Sequence, residues 1–222
     1  MKTITVFLLA LSVSVVLGAS NAHAAGFGFY GSYGAGTADW TVDSSYSNST
    51  DFSKRTNHLG AGLVMDTAPA RDKLFNYQLN IGYDRFSNNN GSAWGPVDFE
   101  GVLISNNFGF GGMISPTTRL WFGPELRVEL ANGSPSSYSN FKIRLFGIGI
   151  GPVLGVNFNT GEKQTFAVKA GYQYLHYTGE GNGGYSHENN AATGYSKSYD
   201  YDVIEKLVYI NLEFLFRTSG DR

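Results

Sequence analysis

Thr118-Arg-Leu-Trp-Phe-Gly-Pro-Glu-Leu-Arg-Val-Glu-Leu-Ala131 is the stretch whose reading decides the fold class. Taken every second residue, it separates into two sets. Leu120, Phe122, Pro124, Leu126, Val128 and Leu130 form one; Arg119, Trp121, Gly123, Glu125, Arg127 and Glu129 form the other. A period of two puts successive side chains on opposite faces, which is a β-strand. A single such strand fits any half-buried sheet, so the weight falls on how often the pattern recurs.

It recurs on both sides. Downstream, about Phe141–Phe158 sets Phe146, Ile148, Ile150, Pro152, Leu154 and Val156 against Gly147, Gly149, Gly151 and Gly155. Gln164–Tyr177 and about Val203–Arg217 follow, the latter with Val208, Ile210, Leu212, Phe214 and Phe216 on one face. Upstream lie Gly26 to about Val42, about Thr56–Thr67, Leu74–Arg85 and about Asp98–Gly111. Asn106 falls on the apolar face of the last of these. Lys142 and Arg144 also carry apolar parity, which places them above a bilayer or after a bulge.

Eight strands result, joined alternately by long and short connections. The polar stretches Asp43–Lys54, Ser87–Pro96, Asn132–Asn140 and Thr178–Asp202 read as exposed loops, the others as tight turns. In a soluble sheet the charges would lie outside and the apolar face inside. Strands of this length with long–short alternation instead predict an all-β, antiparallel, eight-stranded up-and-down transmembrane β-barrel. Phe27, Phe75, Phe110, Phe158, Phe166 and Phe216 fall near the turn ends of their strands on the apolar face, as an interfacial girdle does.

Met1-Lys2, the apolar run Ile4–Gly18 and Ala22-His23-Ala24 form a signal-peptide pattern. Residues 1–24 are therefore expected to be cleaved, leaving 25–222 as the barrel. The 29 glycines, 15% aromatic and 15% charged residues suit a strand protein, and the absence of cysteine excludes disulfides and thiolate metal sites. A formal charge of −2, one more negative once Lys2 is lost, suggests no nucleic-acid partner.

The signal peptide, the eight alternating strands and the aromatic-ended strand Val208–Phe216 resemble the small outer-membrane barrels of Gram-negative bacteria: the OmpX/Ail type, the OmpA transmembrane domain and the opacity proteins. The resemblance is one of pattern across the mature chain. It implies an outer-membrane location, both termini periplasmic, contact with outer-membrane lipid and lipopolysaccharide, and insertion by the barrel-assembly machinery. In those families the chain often ends on Phe; here Arg217-Thr-Ser-Gly-Asp-Arg222 follows Phe216.

An eight-stranded lumen is just wide enough for side chains to fill it. Arg119, Glu125, Arg127, Glu129, Lys169, Glu213, Asp66 and Asp84 have inward parity and are expected to form a charge network plugging it. A narrow ion path is the sharper alternative. Trp121 and Arg127 lie beside the inward glycines of the sixth strand, large opposite small. Tyr46, Trp94, Tyr138, Tyr185, Tyr195, Tyr199 and Tyr201 stand among Ser, Asn and Gly in the loops, a composition suited to binding. That points to a structural or adhesive surface barrel with no cofactor and an unknown surface ligand.

Catalytic spacing is faint. Leu175-His176-Tyr177-Thr178 resembles the His-x-Ser pair of PagL-type lipid A deacylases, but with Thr for Ser, and the nearest acid considered, Glu205, has inward parity. Asp200, Asp202, His187 and Glu188 are too loosely spaced to suggest a metal site. No enzyme activity is expected.

Overall fold

The structure is a computed structural model that describes residues 26–44, 47–70, 72–89, 96–135, 141–184 and 196–218. Its strands are β1 (Gly26–Ser44), β2 (Ser47–Asp66), β3 (Phe75–Asn89), β4 (Val97–Ser115), β5 (Thr118–Pro135), β6 (Lys142–Asn159), β7 (Gln164–Gly184) and β8 (Ser196–Arg217). Each pairs antiparallel with the next, and β1 pairs with β8, closing the barrel. Closure leaves no unpaired sheet edge, the condition for a sheet to stand in lipid. The expected signal peptide lies outside the described residues.

Parity holds along every strand. Below a boundary, most outward side chains are apolar and exposed, as with Phe29, Leu63, Phe122, Leu126, Ile150 and Leu212, while Tyr77, Leu79 and Ile104 on β3 and β4 form a buried cluster. That belt is the lipid-facing surface of a transmembrane β-barrel. At its turn end the girdle phenylalanines meet across the ladders as Phe27↔Phe216, Phe75↔Phe110 and Phe158↔Phe166. Asn106, the polar residue on this face, accepts a hydrogen bond from the Tyr77 hydroxyl of β3 at 2.6 Å. Pro124 and Pro152 face each other across β5–β6. Neither has an N–H to give, and the β4–β5 and β6–β7 ladders each skip two positions beside them.

The strands run further than the sequence pattern indicates. Much of the four polar stretches expected to be loops is strand, with up to 22 residues in β8. The physical reason is an inversion of polarity. Going toward the loop end, and apart from Asn106, the first polar residues above the belt on the outer face are Thr37, Asn57, Arg85, Glu100, Asn132, Arg144, His176 and Lys206, all exposed. Beyond them the outer face stays polar apart from Ile204, while the inner face becomes apolar: Ala38 and Trp40 in β1, Phe99 in β4, Ile143 and Leu145 in β6, Tyr201 and Val203 in β8. The lower half has the polarity of a membrane barrel, the upper half that of a water-surrounded one. Lys142 and Arg144 sit outward in this upper part, and the β6 pairings are unbulged there.

Candidate functional site

The lumen is filled in four layers. At the turn end, the β2–β3 turn folds into the mouth, with Thr67, Ala68 and Pro69 buried. Asp66 accepts the Ala68 N–H at 2.8 Å. Asn157 donates to the Pro69 carbonyl at 3.1 Å and accepts the Trp121 indole N–H at 3.1 Å. Arg119 donates to the Lys73 carbonyl at 2.9 Å. Trp121 has its place because Gly155 opposes it: a Cβ there would lie 2.2 Å from the indole.

Above this layer, Lys169 Nζ lies 3.0 Å from Gln78 Oε1, 3.5 Å from Glu213 and 3.9 Å from Glu125. Gln78 donates to Glu213 at 2.8 Å and weakly to Asp66 at 3.4 Å. The Asn107 amide spans the gap, nitrogen toward Glu125 (2.7 Å) and oxygen toward Lys169 (3.2 Å). Tyr209 donates its hydroxyl to Glu125.

The third layer centres on Arg127 and His58. Arg127 donates to Glu129 from Nε at 3.1 Å and Nη2 at 2.9 Å, and to Asp84 at 2.5 Å. Tyr177 adds a hydroxyl to Glu129 at 3.1 Å. His58 lies between two carboxylates, Nδ1 at 2.8 Å from Asp84 and Nε2 at 2.9 Å from Glu205. Two acceptors are matched by two ring N–H donors, the inventory of an imidazolium. Thr56 donates to Glu205 as well.

Among the described residues the buried lumen acids are Asp66, Asp84, Glu125, Glu129, Glu205 and Glu213, against Arg119, Arg127, Lys169 and His58. Carboxylates outnumber cations even with His58 charged. The neutral donors Gln78, Thr56, Tyr177 and Tyr209 are therefore part of the electrostatics, since a buried carboxylate needs hydrogen bonds where it lacks a counter-ion.

The fourth layer is an aromatic column. His58 stacks on Phe86 at 4.8 Å, Phe86 on Phe99 at 4.8 Å, Phe99 on Trp40 at 5.7 Å and Trp40 on Phe52 at 6.1 Å. Tyr201 meets Trp40 edge-on. Leu175, Val203 and Leu207 complete the packing.

All eight charged residues expected inside are buried in the lumen. Sequence reasoning missed the partners. Arg127 binds Asp84 and Glu129, whereas Glu213 sits with Lys169. His58, Thr56, Tyr177 and Tyr209 went unassigned, although inward parity was a signal they all carried. Two expected loop aromatics are corrected: Tyr199 and Tyr201 are strand residues of β8, Tyr201 pointing into the apolar column and Tyr199 packing on Phe141. Tyr46, Trp94, Tyr138, Tyr185 and Tyr195 lie outside the described residues.

On the outer face, His176 Nε2 lies 2.9 Å from Asp202, with Thr178 directly opposite Asp202 on the ladder. No hydrogen bond joins Thr178 to His176 among the described residues, and Glu205 is inside, bonded to His58. Asp200 and Asp202 face outward on β8, while His187 and Glu188 lie outside the described residues. No group of three His, Cys, Asp or Glu among the described residues is arranged to hold a metal.

No protein-family model matches the chain, and no curated protein matches its sequence. Among solved structures, it is similar to the outer membrane protein OprG of Pseudomonas aeruginosa (14% identity, 86% of this chain and 96% of that one, TM-score 0.46). It is also similar to neisserial surface protein A (16%, 82% and 95%, 0.35). A third is Ail, the attachment invasion locus protein of Yersinia pestis (12%, 85% and 98%, 0.34).

Proposed function

We propose that this chain is an outer-membrane surface protein in which the barrel is a sealed anchor and the loop end is the working surface. On this reading the turn end and both termini are periplasmic, and the upper barrel stands outside the cell as a rigid collar for the loops. The observation that carries it is the filling of the lumen from mouth to mouth: the β2–β3 turn and Trp121, two layers of paired charge, then the aromatic column. Such an interior leaves little for a solute to pass through, which favours a structural or adhesive role over transport. The segments between strands at the loop end carry Tyr and Trp among Ser, Asn and Gly, residues that give contact area with adaptable hydrogen bonding.

The test has two arms. Purified barrel in planar bilayers should give no sustained single-channel steps. Cells displaying the chain should bind surfaces coated with host matrix proteins, and deletion of residues 185–195 should reduce that binding while the barrel still folds. Steady conductance steps would favour the channel reading instead.

A further inference from the structure

The excess of carboxylates over cations in the lumen belongs to particular layers. At the turn end Asp66 and Arg119 match. The second layer sets Glu125 and Glu213 against Lys169, and the third sets Asp84, Glu129 and Glu205 against Arg127 and His58. Each of these two layers is one carboxylate in excess. Neutral donors serve most of the acids: Tyr209 for Glu125, Gln78 for Glu213, Thr56 for Glu205 and Tyr177 for Glu129. Asp84 is served differently. Arg127 and His58 both bond its Oδ2, while its Oδ1 is buried with no partner.

Neutral oxygens of other strands line up with that bare oxygen. Asn211, Ser32, Gly60 and Asp84 stand opposite one another on β8, β1, β2 and β3, one inward row across four strands. Gly60 has no side chain, and its neighbours in the row turn toward it. The point where a Cβ would stand is 2.6 Å from Ser32 Oγ and 3.0 Å from Asp84 Oδ1. Asn211 is buried beside Ser32, and its Oδ1 also has no partner. Opposed residues stand about 4.5–5.5 Å apart at Cβ, so its amide reaches the same space. A carboxylate, a hydroxyl and an amide oxygen are the donor set of a hard cation. A single positive charge would balance the third layer. A double one, beside Arg127 and His58, would leave it positive, and buried charge is stable only when it is matched.

We infer that the lumen binds one alkali cation, sodium or potassium, over Gly60, held by Asp84 Oδ1, Ser32 Oγ and Asn211 Oδ1. The ion is structural. It is taken up as the barrel closes and is then enclosed, with Trp121 and the β2–β3 turn on one side and the aromatic column on the other. Its charge does for Asp84 what the neutral donors do for the other acids. The site depends neither on which way the barrel faces nor on what the loops bind.

The probes are sodium chloride and potassium chloride, each used alone. Barrel refolded with either salt in nonionic micelles is desalted into choline chloride, and the metal left per chain is read by atomic absorption against the urea-unfolded chain. The folded wild type should retain one equivalent of at least one of the two ions. Ser32→Ala and Asn211→Ala should each lose at least tenfold in retention. Thr165→Ala, which removes a buried hydroxyl at the turn end that bonds Asn159, should retain the ion as the wild type does. A preserved gel shift on boiling verifies that each variant is folded. A second arm needs no variant. A ligand of the folded state alone stabilises it, so the urea midpoint of the wild type should be higher in the retained ion's chloride than in choline chloride at equal ionic strength. Four results each overturn the proposal: neither metal above the unfolded background, full retention in both Ser32→Ala and Asn211→Ala, an equal loss in Thr165→Ala, or equal urea midpoints in the two salts.

Discussion

Arg127 is held by Asp84 from the neighbouring-but-one strand and by Glu129 two residues along its own. Taking a guanidinium out of water is costly, and the pairing offsets the cost only while both partners stay. Arg127→Leu should therefore destabilise the barrel by roughly 3–5 kcal/mol, the range for breaking a buried pair from one side. Adding Asp84→Asn should restore part of the loss, because one of the stranded carboxylates is then neutral. Urea titration of barrel refolded in lipid vesicles measures both, and a double variant no more stable than the single one would show that Asp84 is not the partner that matters. Packing sets a second limit at this scale. Gly155→Ala puts a methyl 2.2 Å from the Trp121 ring and should cost about 1–3 kcal/mol by overpacking. With Trp121→Leu in the background, the same substitution should cost almost nothing in the same titration.

Along a single element, the outer face changes its solvent part-way up, and mutational tolerance should change with it. On β5, Leu126 faces lipid and Ser134 lies above the boundary, both outward. Leu126→Arg should cost roughly 2–4 kcal/mol, as for a cation near the bilayer midplane. Ser134→Arg should stay within about 0.5 kcal/mol, as for an ordinary surface site. Equal effects in urea would mean that the boundary between Leu130 and Asn132 is misplaced. This change of solvent also explains what the sequence could and could not show. Face assignment was legible because parity survives any environment: Arg119, Lys169 and Glu213 were placed inside from spacing alone. Strand ends were not, because residues such as Asp200, Asp202 and Lys142 keep their period but exchange the roles of the two faces, and a polar outer face reads as loop. Tyr201 was misread for that reason. The pairing of His58 with Glu205, 147 positions apart, depends on β1 meeting β8, and no local pattern carries that closure.

At the scale of the whole molecule, closure makes the ladder a ring in which every strand has two neighbours. Unfolding one strand opens an edge in lipid, where unpaired N–H and C=O groups are expensive, so the barrel should resist detergent at room temperature and melt as a unit. The expected result is a gel-mobility shift on boiling, with the protein in the outer-membrane pellet. Orientation concerns the same ring: the β2–β3, β4–β5 and β6–β7 connections share the end that carries Gly26 and Arg217, and the other connections share the opposite end. The chain has no native cysteine, so single cysteines report position without background. Ser49→Cys and Ser134→Cys, both exposed at the loop end, should react with a membrane-impermeant maleimide on intact cells. Gly161→Cys, exposed in the β6–β7 turn with open space for its side chain, should react only after the outer membrane is breached. The three sites lie on one rigid ring, so their labelling must change together. Reaction at Gly161→Cys on intact cells with silence at the other two would invert the barrel.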